Sequence, residues 1–315
     1  MKIVISFDFE LGWGVADSLE WLQRERSGLY EACQERLPYY IDFLAKNEAP
    51  ATWAIVSGLL HDELPADYSE HLSGDYKSSI DYFIANAKKS TRYALPLVKK
   101  ISRYNANEIA THSATHPYAQ HQDVNEKSYV DDVRKSIFDI EHYLQVKPER
   151  IVFPRDDSTF LKAVSGDLKL GGRVNPSLLR ARQGKASSYI SGFLSGPDRS
   201  QTIMAASGMY FHSGSLLFNW FGGRAAFMKK HYTKMMLKRI LNRSKDLRFK
   251  EDVYHIWLHP FNLIREPEVG RAFIDFVETG CQLRKKGCLD FFTMRDVEEM
   301  IFERSYLHRF MRSES

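Results

Sequence analysis

Hydrophobic positions along the chain change period repeatedly, from short apolar runs to stripes spaced three and four residues apart. Residues 2–7 are β-branched and apolar on both faces, the pattern of a buried parallel strand. The segment 33–46 carries Leu37, Ile41 and Leu44 at helical spacing, and Pro50 leads into a second strand over 51–56. Residues 57–105 read as an insertion, polar at first and then helical around 80–87 and 94–104. A short strand over 108–111 runs into His112, and an amphipathic helix over 126–144 places Tyr129, Val133, Ile137, Ile140 and Leu144 on one stripe. Further strands are expected at 151–153, 169–174, 202–206, 254–258 and 290–293, with helices at 224–245, 268–286 and 295–304. Strands alternating with helices argue for an α/β fold built on a parallel sheet or barrel. The simplest organisation is one domain over 1–305 with the insertion at about 57–105, followed by a basic tail at 306–315.

Composition adds exclusions. With 43% hydrophobic and 27% charged residues the 315-residue chain is ordinary globular material. Lys plus Arg is 44 against 40 for Asp plus Glu, so a net charge of +4 gives no global case for nucleic acid as a partner. Three cysteines make no disulfide framework. The apolar run at the N-terminus is too short for a signal peptide and ends in Asp8; nothing approaches the roughly 20 apolar residues of a membrane helix. A soluble, cytoplasmic protein is the expectation.

Four clusters end predicted strands. Asp8 and Glu10, two apart, project to one side if the strand geometry persists. Two carboxylates held together repel unless a cation sits between them; the alternative is a solvated, acidic strand end. His112 and His116, four apart in Thr-His-Ser-Ala-Thr-His-Pro, can meet one cation in a tight turn, with neighbouring hydroxyls to orient the rings. With eleven histidines in the chain, chance spacing is the competing reading. Arg155, in Phe-Pro-Arg-Asp-Asp, can hold a carboxylate ionised by a bidentate bond, or can be an ordinary surface pair. His255, Trp257 and His259 share one face of the 254–258 strand; His259 at its carboxyl end suits proton transfer, and His255 reads as packed core.

In this company the chain resembles the polysaccharide deacetylase family, the carbohydrate esterases with a NodB-homology domain. His112-Ser113-Ala114-Thr115-His116-Pro117 is similar to that family's His-[Ser/Thr]-x-x-His metal motif, 49–56 resembles its second strand, and Leu258-His259 its last motif. The order along the chain agrees and the resemblance spans most of residues 1–300. It implies a distorted (β/α) barrel of about seven parallel strands and a divalent metal, most commonly Zn2+. Two departures stand out. The first motif is Asp8-Phe9-Glu10 rather than adjacent aspartates, and Arg155 follows Pro154 where the family usually puts Arg before Pro. The aspartate that tunes the acidic histidine in the family has no assigned counterpart.

The resemblance implies a hydrolase that removes an N-acetyl or N-formyl group from an amino sugar of a bacterial surface-polysaccharide precursor. Glu10, His112 and His116 carry over as metal ligands, Asp8 as base, Arg155 as the group holding Asp8 ionised, and His259 as acid. Trp13, Trp257, Asn262 and Asp156 are candidate substrate contacts, with 210–215 as a further lining segment or an ordinary loop. The stretch 224–245 carries eight Lys or Arg and no acid, so its helix offers a basic face to an anionic nucleotide- or lipid-linked sugar or to the inner membrane surface; a merely solvated face is the alternative. Phe227, Met235, Leu237, Ile240 and Leu241 form its packing face. An amidase of the same fold acting on a cyclic amide, and a silent glycan-binding module, are the rival readings.

Overall fold

The computed structural model describes residues 1–174, 202–205, 208–212 and 226–300. The nine strands are β1 (Lys2–Phe9), β2 (Thr52–Ile55), β3 (Glu108–Thr111), β4 (Arg150–Val152), β5 (Gly171–Val174), β6 (Thr202–Ala205), β7 (Gly208–His212), β8 (Val253–Leu258) and β9 (Asp290–Phe292). They form one sheet in the order β6-β7-β5-β4-β3-β2-β1-β8, and β9 also pairs with β1. Among the described residues only β6 with β7 is antiparallel. β8 follows β1 over Lys2–Phe7, while β9 pairs with Lys2–Val4 and β2 with Ser6–Phe9. β9 thus fills the edge of β1 below β2. The architecture is a distorted (β/α) barrel, open between β6 and β8 among the described residues.

Strand alternation separates two packed layers. Ile3, Ile5, Phe7 and Phe9 of β1 face the surrounding helices, where Phe7 stacks on Trp53 at 4.1 Å and meets Phe273 edge-on at 6.0 Å. Val4, Ala54, Ala110 and Val152 face inward, and Met294 and Val297 from the last described helix close on them. Small side chains there let the strands converge. Below this apolar layer, Arg150 pairs with Glu108 at 3.1 Å and with Glu298, and Thr52 donates to Glu108 at 2.7 Å. Above it, Ser6 Oγ and His255 Nε2 lie 2.8 Å apart, so His255 is a packed interior group as expected. The next inward positions on β1 are Asp8 and then Glu10. A period of two carried through the barrel therefore delivers the two carboxylates to its carboxyl end.

Around this frame, the helix read over 33–46 starts earlier, at Leu29, behind Gly28 in a left-handed conformation (φ 72°). The insertion folds as helices Gly74–Asn86, Lys89–Arg92 and Leu95–Ser102. Short helices Glu20–Arg26, Leu161–Leu168 and Pro260–Arg265 carry too few turns to show a stripe in the sequence. Residues 210–212 of the expected lining segment are the end of β7, and 213–215 lie outside the described residues, as does the tail 306–315. The basic helix spans Ala226–Arg243; Leu237, Ile240 and Leu241 are buried and Lys234 and Lys238 are exposed. No described helix is long and apolar enough to cross a membrane.

The interior layer sets a steric test. Ala110→Leu should destabilise the protein by about 1–3 kcal/mol through overpacking, read as a lowered denaturant midpoint with an unchanged slope.

Candidate active site

Glu10 leaves the end of β1, and Leu11 turns the chain with φ 44°. The turn folds back so closely that a Cβ on Gly14 would lie 2.1 Å from Glu10 Oε1, which explains glycine there. His112 continues the β3 ladder, its N–H donating to Ile55 O at 2.8 Å. His112 Nδ1 lies 2.7 Å from Val152 O; bonded to that carbonyl it carries the proton, which leaves Nε2 as a lone-pair donor. Ser113 and His116 are both left-handed, at φ 69° and 61°, and the turn between them brings the second imidazole back over the first, with ring centroids 4.8 Å apart. Glu10 Oε2 is 3.1 Å from His116 Nε2 and 3.5 Å from His112 Nε2. One atom from each of these three buried residues lies within 4.8 Å of the others. A carboxylate oxygen and two imidazole nitrogens at that spacing fit a divalent cation by donor chemistry and distance.

Asp8, one inward step below, is held by Arg173. Its guanidinium donates Nη1 to Asp8 Oδ1 at 2.8 Å and Nη2 to Oδ2 at 2.6 Å, a bidentate fork. Nε donates to Asp156 Oδ1 at 3.1 Å, and the group sits 4.6 Å over the Trp257 ring. Burial works against the charge on Asp8, yet the guanidinium and the nearby His112 hold its carboxyl below the usual range. For Glu10 the imidazoles of His259 and His116 overcome burial and hold the carboxyl well below its usual value. Asp156 goes the other way: burial, with Asp8 beside it, pushes its carboxyl up despite Arg173. His259 caps the carboxyl end of β8, with Nε2 3.1 Å from Glu10 Oε1 and its ring stacked on Phe261 at 4.9 Å. Asp8, Glu10, His112, His116, Trp257 and His259 line one cavity of about 280 Å3, completed by Gly14, Val15, Arg24, Arg155, Asp156 and Phe261.

No family model matches the chain, and no curated protein matches it. Solved structures do. A protein from Mycobacterium smegmatis assigned as a polysaccharide deacetylase superposes with a TM-score of 0.63 at 12% identity, covering 96% of this chain and 91% of that one. The chain has the polysaccharide deacetylase fold. The same fold is shared with the GH57-type branching enzyme of Pyrococcus horikoshii (TM-score 0.59, 11% identity, 94% of this chain, 69% of that) and with PuuE allantoinase (TM-score 0.57, 10% identity, 95% and 89%).

Within this deacetylase fold the structure relocates several sequence assignments. Arg155 does not touch Asp8. It donates to both oxygens of Asp17 at 2.6 Å and lies 4.6 Å over the Tyr118 ring, partly exposed at the cavity wall. The reason is local: Pro154 starts a turn in which Arg155 and Asp156 both take left-handed backbone (φ 57° and 55°), and this turns the guanidinium away from β1. Arg173, missed in the sequence, occupies the position beside Asp8. Its signal was a lone arginine on an inward position of a glycine-rich strand. Gly172 makes that strand fit, because a Cβ there would lie 1.9 Å from Ile151 O. Asp156 lines the cavity as Arg173's second partner. Trp13 is core rather than a sugar platform: it is buried, donates Nε1 to Arg92 O at 3.0 Å and packs on Phe83 at 4.9 Å. Asn262 is also off the cavity wall, buried in the first turn of Pro260–Arg265 with its N–H bonded to His259 O at 2.9 Å. Trp257 remains on the wall.

The two arginines should separate in a stability measurement. Arg173→Leu leaves buried Asp8 and half-buried Asp156 without their cation and should cost about 3–5 kcal/mol by chemical denaturation. Arg155→Ala, which removes a partly exposed pair, should stay within about 1 kcal/mol of the unaltered protein.

Proposed function

We propose that the protein is a metal-dependent hydrolase that removes an N-acyl group, acetyl or formyl, from an amino sugar. The observation that carries this reading is the donor set Glu10, His112 and His116 opening into the same cavity as an arginine-held Asp8 and the strand-end His259. These three ligands would hold a divalent cation, Zn2+ by donor type. Such a cation, when bound, supplies Lewis acidity to the acyl oxygen and lowers the pKa of water in the cavity.

The remaining steps fall to side chains of this chain. Asp8, kept ionised by Arg173, accepts the proton from the water that attacks the acyl carbon. His259 donates a proton to the departing nitrogen, which amide cleavage requires because an amide anion is a poor leaving group. Asp156 shares Arg173 and keeps the guanidinium aligned for the fork to Asp8. Trp257 and Phe261 give the cavity an apolar wall against which a sugar packs. The product is a free amine with acetate or formate. A nucleotide- or lipid-linked sugar precursor of a surface polysaccharide, handled in the cytoplasm, fits the sequence expectations, and the exposed Lys234 and Lys238 of the basic helix are consistent with an anionic carrier or the inner membrane surface.

The likeness to PuuE allantoinase supports one second reading, hydrolysis of a cyclic amide by the same groups. A panel containing N-acetyl and N-formyl amino sugars, free and nucleotide-linked, together with allantoin and hydantoin separates the two. Acetate or formate release that stops on chelation and returns with Zn2+ is the expected result. Turnover confined to the cyclic amides favours the second reading, and bound metal without hydrolysis of any member favours a silent glycan-binding module. Asp8→Asn should retain the metal and lose about 10²–10⁴-fold in kcat. His112→Ala should lose the metal itself, measured by elemental analysis after gel filtration.

A further inference from the structure

The turn that carries the two histidines is conformationally costly. Ser113 and His116 are both non-glycine residues in left-handed backbone. Each such residue costs on the order of 1–3 kcal/mol and persists only where its surroundings over-determine it. The surroundings here converge on a side chain outside every recognised motif. Asp132 lies on the helix Glu126–Leu144 and is fully buried. Its Oδ1 accepts from the N–H of Ala114 at 2.7 Å and of Thr115 at 3.2 Å, and its Oδ2 accepts from Thr115 Oγ1 at 2.6 Å. His71 Nε2, from the insertion, lies 2.8 Å from the same Oδ2. Three of these four contacts go to the two residues between the histidines and their flanking left-handed positions.

The carrier of Asp132 is itself anchored. Asn125 and Ser128 form a reciprocal cap at the start of its helix, and Ser136, one turn further on, receives a hydrogen bond from Thr111 Oγ1 at 2.7 Å. The insertion completes the clamp from the other side. Ser57 and Gly58 donate their N–H groups to Ser113 O and Ala114 O, both at 3.0 Å, and Tyr76 OH donates to His116 O at 3.1 Å. Those contacts engage the carbonyls of Ser113, Ala114 and His116; Asp132 takes the N–H groups of Ala114 and Thr115, while Ser113 N–H donates to Thr111 Oγ1 at 3.0 Å and His116 N–H to Ser113 Oγ at 3.1 Å. No other described side chain reaches both Ala114 N and Thr115 N.

We propose that Asp132 is a positioning residue for the metal-binding turn, fixing the spacing of His112 and His116 and so setting the affinity of the Glu10–His112–His116 site for a divalent cation. The inference rests on the metal-site reading above. Asp132 provides no ligand; it acts by removing alternative conformations of the segment between two ligands. Partners behind metal-ligating histidines typically contribute about 10- to 100-fold in metal affinity.

The test is titration of the purified full chain with Co2+, following both the dissociation constant and the visible d–d spectrum. Asp132→Ala should weaken Co2+ binding by about 10- to 100-fold and alter the spectrum, with far-UV circular dichroism unchanged. Asp132→Asn, which keeps an oxygen for the two N–H groups, should recover part of that loss, and Thr115→Val should fall between Asp132→Ala and the unaltered chain. A folded Asp132→Ala protein with unaltered affinity and spectrum overturns the proposal. If Asp132→Ala does not fold, unchanged affinity in both Asp132→Asn and Thr115→Val overturns it equally. Failure of the unaltered protein to bind Co2+ rejects the metal reading itself and is thereby distinguishable from failure of the Asp132 proposal alone.

Discussion

Three carboxylates, buried Asp8 and Glu10 and half-buried Asp156, share one cavity, and the site depends on how their charge is offset. An ion removed from water costs several kcal/mol even after relaxation, and like charges at close range add to that. Arg173 resolves the lower half of the problem by binding Asp8 through its fork and Asp156 through Nε. The imidazoles of His259 and His116 resolve the upper half at Glu10. The outcome is asymmetric. Asp8 and Glu10 are held below the usual carboxylate range while Asp156 is pushed above it. That split comes from geometry rather than from residue type.

The geometry in turn follows from the barrel's period of two. Inward positions read, from bottom to top, as an ion-paired layer at Glu108, Arg150 and Glu298, an apolar layer at Val4, Ala54, Ala110 and Val152, then Ser6 with His255, and finally Asp8 and Glu10. Alanines in the middle layer bring the strands close enough for side chains on β1, β5 and β8 to meet at the top. Of the two histidines, His112 continues the β3 ladder and only His116 cannot be placed by strand geometry, because it belongs to a turn. Helix Glu126–Leu144 and the insertion hold that turn from opposite sides, so the 57–105 segment is part of the site's framework rather than an appendage.

Much of this was legible in the sequence. Eight of the nine described strands and the parallel α/β class follow from apolar runs ending in polar residues, a local signal, while the grouping of Glu10, His112 and His116 came from the family resemblance. What was not legible depended on contacts between distant segments. Trp13 is a candidate sugar contact by residue type, but Gly58 makes room for its ring and Phe83 and Tyr68 enclose it. β7 was hidden by the glycines and serines that flank it. Asp132 sits among charged residues on an amphipathic helix, where nothing in the one-dimensional pattern distinguishes it from its exposed neighbours.

The misplaced arginine is the most instructive of these cases. A motif search looks for a residue type at a fixed distance from a proline, and Arg155 satisfied it approximately. The physical requirement is different: a guanidinium must reach both oxygens of Asp8 from within the barrel. Inward side chains of neighbouring parallel strands converge at the carboxyl end, so that requirement can be met from β5 as readily as from the segment after β4. Once Arg173 meets it, Arg155 is released from the interior and can pair with Asp17 at the wall. Where a motif's spacing does not deliver a guanidinium to Asp8, the place to look for it is therefore the adjacent strand rather than the adjacent residue.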